Sequence, residues 1–254
     1  MELPNLPRFS PQTRIYFRGS KDYVPHAYQY ATSSHQANEE AMMPAAVIYP
    51  KSVEDIIAAV NYVRENDMGL AVRTGGHHYC GASSTSGENI QLDISDTFQS
   101  VYRDFRYNPK TNLLRTGISF SLLEFTSLLR NMQMFLPHGL CSNVHLGGHV
   151  QTGGYGMLMR SFGLMSDYVE AFEIVLANGK HERIWRPSSP FALDGTTEEN
   201  NDLFWAVMGG SPGNFGVLTH VIFRPLHDKH YPGKLMLKLR ILIFRIVLNI
   251  TSNF

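Results

Sequence analysis

Two cysteines, Cys80 and Cys141, are all that the 254 residues carry. A disulfide-scaffolded fold needs more than one pair. The two thiols are left either to bridge each other or to serve separately. Charge is also scarce: Asp, Glu, Lys and Arg make up 17%, with 22 cations against 22 anions. A neutral chain has no electrostatic basis for holding nucleic acid or an anionic membrane surface. No apolar run is long enough to span a bilayer. The first twenty residues mix Pro, Arg and polar side chains, so no signal-peptide h-region is visible. Compartment and oligomeric state stay open. Two nucleotide signatures are missing as well. No G-x-x-x-x-G-K-[ST] occurs, and the first glycine turn is not G-x-G-x-x-G. The first absence weighs against a P-loop hydrolase, and the second against a Rossmann nicotinamide enzyme.

Apolar residues at 43% describe a globular chain, long enough for one large domain or two small ones. Residues 1–39 are weakly patterned and read as an N-terminal arm with one short helix. Residues 43–50 form a β-rich run between prolines. Ser52 then reads as an N-cap, with Glu54 and Asp55 in the first turn and Gly69 as the stop. Val53, Ile56, Ile57, Val60 and Val63 give that helix one apolar stripe. Strands are predicted at 70–73, 90–94, 113–117, 171–176 and 216–223, and helices at 121–132 and 202–207. Asn178-Gly179 is a hairpin signal. The glycine-dense stretch 141–167 reads as loop plus a short helix around 157–162.

Glycine marks the candidate site. Gly75-Gly76 follows a strand in Arg73-Thr74-Gly75-Gly76-His77-His78-Tyr79-Cys80-Gly81, and Cys141 precedes Gly147-Gly148-His149 and Gly153-Gly154-Tyr155-Gly156. Backbone without Cβ turns tightly and offers successive N–H groups to phosphate oxygens. A nucleophilic imidazole and a thiol beside two such turns point to one large, phosphate-bearing, electrophilic cofactor. Plain turn geometry accounts equally for any single glycine pair. His77 could be a structural turn residue, and Cys141 a buried inert thiol. Arg73 could sit near phosphates or pair with a core carboxylate. His78, Cys80, His138, His145 and His149 match no regular zinc spacing.

Taken in order, these strings resemble one family. With Arg160-Ser161-Phe162-Gly163-Leu164, Asp202-Leu203-Phe204-Trp205-Ala206 and Gly213-Asn214-Phe215-Gly216-Val217, they resemble the berberine-bridge-enzyme-like flavoprotein oxidases of the vanillyl-alcohol-oxidase type. The resemblance covers roughly residues 40–230. It implies an α+β fold: a PCMH-type FAD-binding domain, residues 40–228, of two α/β subdomains with FAD between them. It implies FAD bonded through His77 at the 8α-methyl and Cys141 at C6. By the same resemblance Arg73, Thr74, Gly75, Gly76, His77, His78, Gly81, Ala82 and Ser83 would hold the pyrophosphate side. Gly147, Gly148, Gly153, Gly154 and Tyr155 would line the flavin, and Val217 would contact the adenine or the ring region through its backbone. His78 and His145 depart from the small or polar residues of the family pattern. A small-molecule substrate losing a hydride to flavin, with oxygen as acceptor, follows from the resemblance.

In that family a substrate domain follows and supplies the catalytic base. Here the pattern stops near Gly233, and residues 229–254 read as an atypical tail. Its cations Lys234, Lys238, Arg240 and Arg245 are scattered among apolar residues, and Asn249-Ile250-Thr251 matches a glycosylation acceptor. The expectation is a chain truncated before the substrate domain, with no catalytic residue assigned beyond the weak candidates His138 and His149. Three readings remain: an FAD-dependent oxidoreductase, a flavin-binding fragment without turnover, and a metal protein built on the histidines and cysteines.

Overall fold

A computed structural model describes residues 3–28, 30, 42–192 and 197–231. The tail beyond Tyr231, with Asn249, lies outside the described residues. The first sheet has four strands: β1 (Arg14–Phe17), β2 (Ala46–Tyr49), β3 (Leu70–Arg73) and β4 (Ile90–Asp93), in the order β1-β2-β4-β3. β2, β4 and β3 run parallel, and β1 closes the edge antiparallel to β2. Parallel strands need a crossover, and helix α2 (Val53–Glu65) supplies it from β2 to β3, which flank β4. Its N-cap is Ser52, whose hydroxyl accepts from Asp55 N–H at 3.2 Å. Such a cap contributes about 1 kcal/mol. Ile56, Ala59, Val60 and Val63 bury the apolar stripe.

The second sheet is wholly antiparallel. It consists of β5 (Phe105–Asn108), β6 (Leu113–Gly117), β8 (Val169–Val175), β9 (His181–Trp185) and β10 (Val217–Phe223), in the order β5-β6-β10-β8-β9. A small pair, β7 (Met134–Phe135) and β11 (Leu226–His227), stands apart. α1 (Val24–Ala27), α3 (Leu122–Asn131), α4 (Leu146–Gln151), α5 (Met159–Phe162) and α6 (Glu198–Met208) complete the described helices. One hydrophobic core joins the sheets, running from Ile48, Ile90 and Leu92 through α2 and α3 to Leu114, Phe172, Ile174 and Val221. The fold is therefore the α+β arrangement expected.

Three local differences have physical causes. The helix predicted to stop at Gly69 ends at Glu65. Asn66 turns its amide back to the Tyr62 carbonyl at 2.8 Å, Asp67 takes φ +52°, and Gly69 already leads into β3. Asn and Asp accept this left-handed geometry better than most residues. α4 forms where loop was expected, since two glycines at its start hide the helical signal. The arm contributes β1 as well as a short helix. Asp55, in the first turn as expected, also accepts from Ser10 N–H and Oγ at 2.7 Å and from Thr13 Oγ1 at 2.8 Å, tying the arm to α2.

Candidate functional site

β3 and β4 carry the chain to one end of the first sheet, and a cavity of about 1020 Å³ opens there. Most of its wall comes from three distant stretches, residues 69–85, 139–157 and 212–218, with Ile94, Ile118 and Leu122 between them. Of the expected residues, Thr74, Gly75, Gly76, His77, His78, Ala82, Ser83, Cys141, Gly147, Gly148 and Tyr155 line it. Two loops meet at Gly75, where a Cβ would stand 2.8 Å from His145 Cδ2 and 3.1 Å from the Asn143 carbonyl oxygen. Only glycine allows that approach. The second loop is held by α3. Leu122 N–H donates to the Val144 carbonyl at 2.8 Å and Leu123 N–H to the Ser142 carbonyl at 3.0 Å. Helix N–H groups without intrahelical partners thus pin the segment that carries Cys141.

Arg73, Gly81, Gly153, Gly154 and Val217 stand outside the cavity wall. Arg73 is buried and pairs with Asp93, Nε to Oδ2 at 2.7 Å. Its Nη1 donates to the Ala27 and Tyr28 carbonyls at 3.0 and 3.1 Å, and its Nη2 to the His26 carbonyl at 2.5 Å. The alternative of a core carboxylate partner is the geometry found, and the guanidinium straps the arm. Gly81 takes φ +82° inside the turn that accepts Ser84 N–H. Gly153 and Gly154 take φ +89° and +71°, reversing the chain after α4. Val217 is buried in the core, while Gly216 and Leu218 on either side of it reach the wall.

His77 is half-buried. Burial draws its pKa below the ordinary 6.5, against the opposing bond it makes to the Asn143 backbone. That favours a neutral ring with one bare nitrogen at neutral pH. Cys141 is free and exposed, as is Cys80, which sets aside two alternatives: there is no bridge between them, and Cys141 is not a buried thiol. Cys80 Sγ lies 3.2 Å from His78 Nδ1. His149 accepts Gly139 N–H on Nε2 at 3.0 Å, and burial pushes its pKa down to about 4. Its lone pair holds the loop, so it is no free base. His138 Nδ1 is engaged with the Gly139 carbonyl at 2.7 Å. Among the described residues no group of three His, Cys, Asp or Glu could hold a metal.

Gln151 escaped sequence reasoning. From α4 its Nε2 donates to the Gly147 carbonyl at 2.8 Å, and its Oε1 accepts Gly213 N–H at 3.3 Å, joining two walls. Nothing in the sequence marks a glutamine for such a bridge.

Among the described residues the wall carries no Asp, Glu, Lys or Arg. Phosphates placed there would meet backbone N–H groups and hydroxyls rather than cations. Gly148 faces empty space, with no atom within 4 Å of a Cβ built on it. Ser84 Oγ and His145 Nδ1, both on wall residues, are buried without a partner. Leu70, Val72, Ile94, Ile118 and Leu218 give an apolar side. An open glycine cradle, orphaned polar atoms and an apolar wall fit a dinucleotide with a flat ring, in a volume at the top of the usual ligand range of roughly 300–1000 Å³.

Fold and cavity together define a dinucleotide-cofactor domain that is neither Rossmann nor P-loop. Residues 44–184 match the family model described as FAD binding domain, and the chain belongs to that family. Its relatives are berberine-bridge-enzyme-like FAD-linked oxidoreductases. It is 33% identical over 203 residues to berberine bridge enzyme-like 12 of Arabidopsis thaliana, covering 79% of this chain and 36% of that protein. The solved berberine-bridge-enzyme-like 1 of Physcomitrella patens superposes with a TM-score of 0.68 at 25% identity, over 85% of this chain and 42% of that one. A chitooligosaccharide oxidase gives 0.67 at 25% identity, over 85% and 41%. The chain thus spans well under half the length of these proteins. No helix among the described residues is long and apolar enough to cross a membrane.

Proposed function

We propose that the chain holds FAD in this cavity, bonded through His77 and Cys141, as the flavin-carrying part of an oxidoreductase. The substrate class is an alcohol, sugar or amine, with oxygen as electron acceptor. The observation that carries the reading is that His77 and Cys141, on separate loops, line one cavity with an open glycine cradle. The bound flavin would supply the hydride-accepting ring. The chain's own residues do the rest. His77 offers a bare nitrogen because burial keeps its ring neutral. Cys141 offers an accessible thiol. Thr74 to His78 and Ala82 to Ser83 take the phosphate side, and Gly147, Gly148 and Tyr155 the flavin side. Arg73, Gly81, Gly153, Gly154 and Val217 support these loops from behind.

A second reading, flavin binding without turnover, is favoured by one observation. Among the described residues the cavity wall has no carboxylate, and the His149 lone pair is engaged. The described wall therefore offers no carboxylate as a base for a substrate proton. The whole-length activity of the relatives stays a proposal for this chain.

Acid precipitation tests the binding mode. Yellow colour and flavin fluorescence should stay with the pellet of the wild-type chain. His77→Ala and Cys141→Ala should each keep one link, and the double variant should release free FAD. A colourless wild-type pellet overturns the covalent claim. Oxygen uptake over a panel of sugars, alcohols and amines then separates enzyme from binding domain.

A further inference from the structure

The N-terminal arm reaches the candidate attachment site. Arg73 grips three successive arm carbonyls, those of His26, Ala27 and Tyr28. Two residues further on, the Tyr30 ring lies over His77 with centroids 4.5 Å apart and planes at 36°. Tyr30 is 73% exposed and is not part of the cavity wall, so it contributes little to the core. Its described ring contact is the imidazole proposed to bond the cofactor.

We infer that Tyr30 is a positioning residue for cofactor attachment. Its ring fixes the plane of the His77 imidazole, while the Asn143 backbone takes one ring N–H and leaves the other nitrogen bare. The inference rests on the covalent FAD reading above. The net step replaces one imidazole N–H and one methyl C–H by an N–C bond. Molecular oxygen takes the two electrons and two protons and leaves as hydrogen peroxide. A nucleophile whose ring can swing loses rate through orientation alone. Tyr30 also shields the ring from water, which favours its neutral form.

The test uses the full chain with Cys141→Ala, so that only the His77 link reports. Apo-protein is mixed with FAD in air-saturated buffer, and flavin fluorescence surviving denaturation is followed over time and pH. Tyr30→Ala should attach flavin roughly three- to tenfold more slowly, the size of one aromatic contact. The midpoint of its rate against pH should move upward, a change that loss of packing elsewhere would not cause. Tyr30→Phe should restore the wild-type rate and midpoint. If Tyr30→Ala matches the parent in both, the inference falls and the covalent reading stands. If Tyr30→Phe is as slow as Tyr30→Ala, stacking is overturned in favour of the hydroxyl. A parent chain that binds FAD without bonding it overturns the covalent reading, and this inference with it.

Discussion

Replacing Arg73 by leucine separates two roles that the sequence left open. The guanidinium and the Asp93 carboxylate are only 4% and 5% exposed. Removing one partner strands a buried charge, which costs about 3–5 kcal/mol. The carbonyls of His26, Ala27 and Tyr28 lose their donor too, though near the arm's surface water replaces part of it. A total near 4 kcal/mol corresponds to roughly 8–16 °C of melting temperature for a domain of this size. The assay is thermal and urea unfolding of apo-protein, where no phosphate is present to be bound. The double variant Arg73→Leu/Asp93→Leu should recover at least about half of the loss, because no charge is then left unpaired. An apo-protein of unchanged stability that binds FAD tenfold more weakly would refute this reasoning and return Arg73 to the phosphates. So would a double variant no more stable than the single.

Two glycines make a contrasting pair. Ala at Gly156 would place Cβ 1.8 Å from the His138 carbonyl oxygen, and neither backbone can yield cheaply. Gly156→Ala should lose about 3 kcal/mol in urea unfolding. Gly148→Ala meets nothing within 4 Å. It should be as stable as wild type or up to about 1 kcal/mol more so, yet bind FAD more weakly by fluorescence titration; unimpaired binding would move the cofactor away from α4. Stability should also fall in acid. His220 lies buried 3.3 Å from both Asp104 and Glu173, and Glu173 is held by Arg115 and Arg183 at 2.6 Å. Hydrogen bonds to these carboxylates outweigh burial and draw both pKa values down to about 2, while burial lowers His220 from 6.5. All three groups bind protons more readily when unfolded, so their contribution is full above pH 6.5 and is lost as pH falls. The urea midpoint should decline gently from pH 6.5 to 5 and steeply below 4, and Glu173→Gln should flatten the steep limb. An equally steep limb in the variant would sink that assignment.

Periodicity sufficed for the larger elements. The stripe on α2, the Ser52 cap and the alternating or apolar runs of β2, β3, β4, β6, β8 and β10 are local properties, and they formed where the pattern put them. Short edge elements did not announce themselves. β1 is a strand because β2 offers it a partner, and β5 because β6 does. Four-residue segments carry too little local preference to be seen without the neighbour.

The candidate site divides in the same way. Glycine clusters with a histidine and a cysteine beside them are legible as loops, because tight backbone and nucleophilic side chains are residue-level properties. Their order along the chain was enough to indicate a flavin domain. Which side chains face the cavity was not legible. Arg73 stands between the wall residues Val72 and Thr74 yet points into the core, since β-strand neighbours face opposite sides. His149 became a pin once Gly139 came within 3.0 Å. Tyr30 met His77 through an arm whose placement depends on Asp55 and Arg73. The sequence alone indicated the FAD-binding family and marked His77 and Cys141 as candidates for attachment. Tertiary structure decided which side chains line the cavity and which are engaged elsewhere, because hydrogen-bond partners and burial come from residues far away in the chain.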